Sequence, residues 1–114
     1  MDFKEEVVEG IINFKLSGDL IGENNGPGII ELLNNQINEG NIKAIIDISE
    51  VRYMNSSGLG VLITVLTKLR NKGGEVVLLN PSEQVKKLLL ITKLNNIFNI
   101  FDSKEEAEAF LKAA

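Results

Sequence analysis

The chain has 114 residues, of which 44% are hydrophobic and 25% charged, values that fit one globular domain and exclude a disordered or collagen-like protein. It contains no cysteine and no histidine, so disulfides, thiolate nucleophiles, thiolate metal sites and serine-histidine catalysis are ruled out. Twelve Lys and Arg against sixteen Asp and Glu give a net charge of -4 with no basic run, which argues against nucleic acid or an anionic membrane as partner.

The first residues, Met1 to Glu6, are acidic where a secretory leader needs positive charge, and the aliphatic runs Val76 to Leu79 and Leu88 to Ile91 fall far short of a bilayer span. A cytoplasmic protein is expected. No linker or repeat divides residues 1–114, so they are read as one domain. From Phe3 to Ser17 the chain alternates on both sides of Glu9-Gly10, with Ile12, Phe14 and Leu16 on one face, which predicts a β-hairpin turning there. Gly22 to Pro27 has loop chemistry; Ile29, Ile30, Leu32, Leu33 and Ile37 then recur at helical spacing until Gly40.

Ala44-Ile45-Ile46-Asp47-Ile48 is short, β-branched and apolar on both sides of the chain, as expected of a central strand covered on both faces. Leu59, Leu62, Ile63, Leu66 and Leu69 mark a second helix ending at Gly73-Gly74, and Glu75 to Leu79 forms another buried strand. Ser82 and Glu83 cap a third helix carrying Val85, Leu88, Leu89 and Ile91. Ile97 to Phe101 reads as an edge strand, and Ser103 with Glu106 as the capping box of a last helix. The order is β-β-α-β-α-β-α-β-α. Right-handed crossovers then give an α/β domain whose mixed sheet opens with an antiparallel hairpin and is flanked by about four helices.

The chemistry concentrates between Asp47 and Leu62, where the central strand leads through a loop into the second helix. Ser56 and Ser57 open that helix, and the unpaired N-H groups of a first turn favour an anion by about 0.3–1 kcal/mol, so a phosphate on Ser56 fits there. Gly58 and Gly60 each cost a helix about 1 kcal/mol relative to Ala, which points to close backbone approach, by a partner or by the sheet beneath. Read locally, Ser56 or Ser57 is an N-cap. Leu59, Val61 and Leu62 cannot all face inward, so Val61 is predicted to be partly exposed beside the serines, in a partner surface.

Met54-Asn55-Ser56-Ser57-Gly58-Leu59-Gly60-Val61-Leu62, with Asp47-Ile48-Ser49 before it and Gly73-Gly74-Glu75-Val76-Val77-Leu78 after it, closely resembles the STAS domain of bacterial anti-sigma factor antagonists. Leu16-Ser17-Gly18-Asp19-Leu20 looks like an early element of the same family. The resemblance implies a mixed sheet flanked by helices and no catalytic residues, cofactor or metal. It implies a protein that binds a GHKL-type serine kinase acting as anti-sigma factor, is phosphorylated by it on Ser56, and is restored by a PP2C-like phosphatase. The implied partner surface comprises Asp19, Asn55, Ser56, Ser57, Gly58, Leu59, Gly60 and Val61. Asn55 stands where the family commonly has Asp, and Ile21 where Asp often follows the leucine. Both suit the alternative, a STAS module that is never phosphorylated and serves as scaffold or subunit. Two other readings are a receiver domain with Asp47 as phosphoacceptor, which lacks its acidic pair, and a phosphate-cradling loop, which lacks the lysine of a P-loop.

Overall fold

Glu9 and Gly10 both adopt left-handed backbone, at φ 52° and 79°, the geometry of a two-residue hairpin turn whose twist matches the strands it joins. The computed structural model describes residues 2–114. The turn joins β1 (Asp2–Val8) to β2 (Ile11–Leu20), antiparallel from Val8 opposite Ile11 to Asp2 opposite Ser17. The predicted face is realised, with Ile12, Phe14 and Leu16 buried.

The Gly22 to Pro27 stretch is helix, not loop: α1 runs Gly22–Asn38. Ile21 caps it with extended backbone, its carbonyl accepts from the Asn24 and Asn25 N-H groups, and the Asn25 side chain reaches back to the Ile21 N-H at 2.8 Å. These local bonds outweigh the poor helix propensity of two glycines and of Pro27, which lies inside the helix. At the other end Gly40, at φ 91°, lets the Asn41 N-H reach the Gln36 carbonyl and close the helix.

The central strand is also longer than expected. β3 (Lys43–Met54) continues past Ile48 because β2 continues beside it to Leu20, the pairing surviving two register shifts between Lys15 and Asp19. α2 (Ser56–Asn71) follows, then β4 (Glu75–Leu79), α3 (Glu83–Ile91), a single 3-10 turn at Leu94–Asn96, β5 (Asn99–Phe101) and α4 (Lys104–Ala113). Ile97 and Phe98 leave the predicted edge strand because both N-H groups bond to the Leu94 carbonyl; Phe98 is buried and Ile97 exposed. Ile91, expected on the inner side of the third helix, is 78% exposed at its end.

The sheet order is β1-β2-β3-β4-β5, with β1 antiparallel and every other neighbour pair parallel. α1, α2 and α3 cover one face, packing Leu33, Leu62, Leu66 and Leu89 on Phe14, Ile46, Ile48 and Leu78. α4 covers the other, setting Ala107 and Leu111 on Ile11, Ile45 and Val77. Burying residues of β3 on both faces accounts for the apolar Ala44, Ile45, Ile46 and Ile48.

The Lys43 ammonium donates to the Leu111 and Ala114 carbonyls at the end of α4, and Lys112 pairs with Glu9 at 2.7 Å, tying the last helix to the hairpin turn. The lysine's hydrogen bond and then its charge hold the Glu9 carboxyl below its ordinary value, and Glu9 in turn raises Lys112. Stability from Glu9 is therefore present above its unfolded-state pKa and lost as pH falls through the depressed folded value. That from Lys112 is present below its own unfolded pKa and lost as pH rises through the raised one. Thermal melts of wild type and Lys112→Met should differ by a small margin near neutrality and converge in both acid and strong alkali. A gap independent of pH would show that the pair contributes nothing.

Candidate functional site

β2 and β3 end side by side at Leu20 and Met54, and each hands the chain to a helix on the same face of the sheet. The N-termini of α1 and α2 thus lie together, and one side chain joins them. Asn55, in extended backbone, is the N-cap of α2: its Oδ1 accepts from the Gly58 N-H at 2.7 Å, the Ser57 hydroxyl at 3.0 Å and the Gly22 N-H of α1 at 3.3 Å. Its Nδ2 donates to Glu23 Oε2 at 3.2 Å. The cap is therefore Asn55 and neither serine. The amide, unlike a carboxylate, has a hydrogen to give Glu23.

The helices meet closely where glycine permits. A Cβ on Gly22 would strike the backbone of Ser57, and one on Gly58 would strike the Leu20 carbonyl oxygen. A Cβ on Gly60 would meet nothing within 4 Å, so that glycine leaves an opening in the outer surface of α2. Of the two alternatives for these glycines, Gly58 serves the protein's own packing and Gly60 keeps the surface low.

The structure brings the expected site residues to one rim but sorts them by exposure. Ser56 is exposed and Ser57 half-buried. Leu59 is 7% and Val61 8% exposed, so both belong to the core and the expected exposure of Val61 is corrected. Val61 faces Gly26, whose absent Cβ would lie 2.9 Å from a Val61 methyl carbon: α1 covers the position that helical spacing alone left open. Gly58 is likewise buried. Asp19 lies on β2 opposite Tyr53 and pairs with Arg52 at 3.3 Å. A shallow groove between α1 and α2, edged by Gly26, Pro27, Ile30, Gly60 and Thr64, opens beside Ser57.

Of the four N-terminal N-H groups of α2, that of Asn55 goes to the Leu20 carbonyl at 3.3 Å and that of Gly58 to the Asn55 side chain. Those of Ser56 and Ser57 remain for an anion, and no acidic residue occupies the first turn. Glu23 carries the nearby negative charge from across the gap. Its own backbone N-H, then the Ser57 hydroxyl and the Asn55 amide, hold its carboxyl below the ordinary value. The resemblance left Asp19 or Glu23 to supply a carboxylate in place of the one absent at Ile21; the structure puts Glu23 against Asn55 and pairs Asp19 with Arg52.

Asp47 lies within β3, opposite Lys15, and its Oδ1 accepts from the N-H and hydroxyl of Ser49 at 3.0 and 2.7 Å. Among the described residues no cluster of three or more acidic side chains is placed to hold a metal ion, and no helix is long and apolar enough to cross a membrane.

A five-stranded mixed sheet, three helices on one face and one on the other, with a serine pair opening the helix after the central strand, defines the class of α/β module. The STAS domain model matches residues 3–107, and the chain belongs to that family. It is 35% identical over 71 residues to a protein assigned as an anti-sigma factor antagonist in Thermotoga neapolitana, covering 62% of this chain and 63% of that one. It is 42% identical over 65 residues to the anti-sigma-B factor antagonist of Listeria monocytogenes, 57% of this chain and 56% of that one. These alignments span less than two thirds of either relative. A crystal structure from Thermotoga maritima, also assigned as an anti-sigma factor antagonist, superposes with a TM-score of 0.87 at 26% identity over 96% of this chain and 94% of that one.

Three substitutions separate the packing roles. Gly58→Ala should destabilise by about 1–3 kcal/mol through overpacking on Leu20, and Asn55→Ala by about 0.5–2 kcal/mol through loss of the cap. Gly60→Ala should raise stability by roughly 0.5–1 kcal/mol, since its site is open and helical. Urea denaturation measures all three; equal effects at the two glycines would contradict the geometry.

Proposed function

We propose that the chain is an anti-sigma factor antagonist: it binds a GHKL-type serine kinase that otherwise holds a sigma factor, and phosphorylation of Ser56 by that kinase switches the binding off. The observation that carries the reading is the division between the two serines. Ser56 is exposed on the first turn of α2, whereas the Ser57 hydroxyl is bound to Asn55 and its backbone lies under Gly22. A kinase reaching this rim meets Ser56.

Phosphorylation would add about 1.5–2 negative charges and three acceptor oxygens there. The free N-H groups and dipole of α2 favour that charge, so the modification leaves the fold intact and changes only the surface. The kinase's own nucleotide phosphates must face Ser56 during transfer, so the phosphoserine it makes is repelled by the diphosphate left behind, and its bulk lifts the fitted surface apart. A PP2C-like phosphatase would restore the binding form. The chain supplies a surface and needs no catalytic group.

The test is to incubate the chain with ATP and each GHKL-type kinase of its organism, and to locate phosphate by intact mass and peptide mapping. One phosphate at Ser56 is expected, absent in Ser56→Ala and retained in Ser57→Ala. Ser56→Asp should bind the kinase about 5–150-fold more weakly than wild type, the usual range of coupling between two sites. A chain that binds these kinases but never carries phosphate at Ser56 would instead be the constitutive scaffold.

A further inference from the structure

Exposed glutamates ordinarily sample many rotamers, because ordering a long side chain costs entropy that water-exposed contacts rarely offset. Glu23 is exposed, yet its Oε2 accepts from Asn55 Nδ2 at 3.2 Å. Asn55 is itself held, since its Oδ1 is bound by Gly58, Ser57 and Gly22. The Glu23 carboxylate is thus tied to the cap of α2 as well as to the backbone of its own helix. Two other acids near this end of the sheet are paired, Asp19 with Arg52 and Glu50 with Lys15, each at 3.3 Å. Among the described residues, Glu23 has no cation within ion-pair distance.

We propose that Glu23 is the specificity-determining charge of this surface, an oriented and uncompensated carboxylate on the first turn of α1 that receives a basic side chain of the partner beside Ser56, with Asn55 as its positioning residue. The proposal rests on the partner-switch reading and deepens it. Glu23 selects the partner by charge, while Ser56 reports the state of the switch. In this chain the acid beside the serine comes from the neighbouring helix, and the residue preceding the serine supplies the hydrogen bond that aims it. A rim carboxylate of this kind acts mainly on the association rate, and its effect fades with salt.

The experiment measures association of the full-length chain with the ADP-loaded kinase that phosphorylates Ser56 in the assay above, at about 0.1 M salt, where the screening length is about 10 Å, and at about 1 M, where it is about 3 Å. Glu23→Gln keeps an accepting oxygen for Asn55 and removes only the charge. It should melt as wild type does and associate about tenfold more slowly at low salt, the difference vanishing at high salt. Glu23→Asp should keep most of the rate, and Asn55→Asp/Glu23→Gln, which returns a carboxylate to the same rim, should recover part of it. Wild-type association by Glu23→Gln at low salt, or a loss that persists at high salt, overturns the proposal. If Ser56→Asp weakens binding while Glu23→Gln does not, this inference alone fails. If wild type neither binds nor accepts phosphate from any such kinase, the partner-switch reading fails and takes this one with it.

Discussion

The side chain of Asn55 holds this end of the molecule together. Its single oxygen accepts from three donors on two helices, and its nitrogen gives to a fourth group, so the start of α2, the start of α1 and the Glu23 carboxylate share one small amide. Such a junction works only if the backbones come close. That is the role of Gly22 and Gly58, where any side chain would collide with the neighbouring main chain. Removing the amide leaves backbone donors of two helices without their acceptor, a larger penalty than the loss of one neutral hydrogen bond.

The closeness divides the residues of one short motif between two tasks. Leu59, Val61 and Gly58 face inward and hold α2 against the sheet and α1. Ser56 and Gly60 face outward, one with an unengaged hydroxyl and the other with no side chain at all. A surface that is rigid underneath and low on top lets a partner approach a backbone directly, which favours tight packing at small entropic cost.

The sheet explains why the rim stands where it does. β3 outruns β4, and β2 alone accompanies it to Met54, so the last turns of both strands project beyond the rest of the sheet. The Ser82 hydroxyl meets the Val51 carbonyl at 3.0 Å where no strand does. In parallel α/β sheets the carboxyl ends of strands, with the helix N-termini they feed, are where anionic groups are best received. The serine pair lies in that position, on the two strand ends that extend furthest.

Periodicity together with turn and capping chemistry set the element order, the Glu9-Gly10 turn, the largely buried Ala44 to Ile48 strand, the Glu75 to Leu79 strand and the caps at Ser82 and Ser103, because each depends on contacts within a few residues of chain. The resemblance to the family was likewise legible in Met54 to Leu62, a contiguous stretch. What the sequence could not decide were contacts between segments far apart in the chain. The start of α1 runs through glycines and a proline that read as loop, and it is helical because Ile21 and Asn25 close its first turn while Asn55 binds it from 33 residues away. Val61 is buried only because Gly26 of another helix lies over it. Glu23 is joined to the start of α2 through Asn55, 32 residues away. One-dimensional patterning records which face of an element is apolar; which neighbour covers that face, and which distant side chain orients an exposed charge, is settled by tertiary packing.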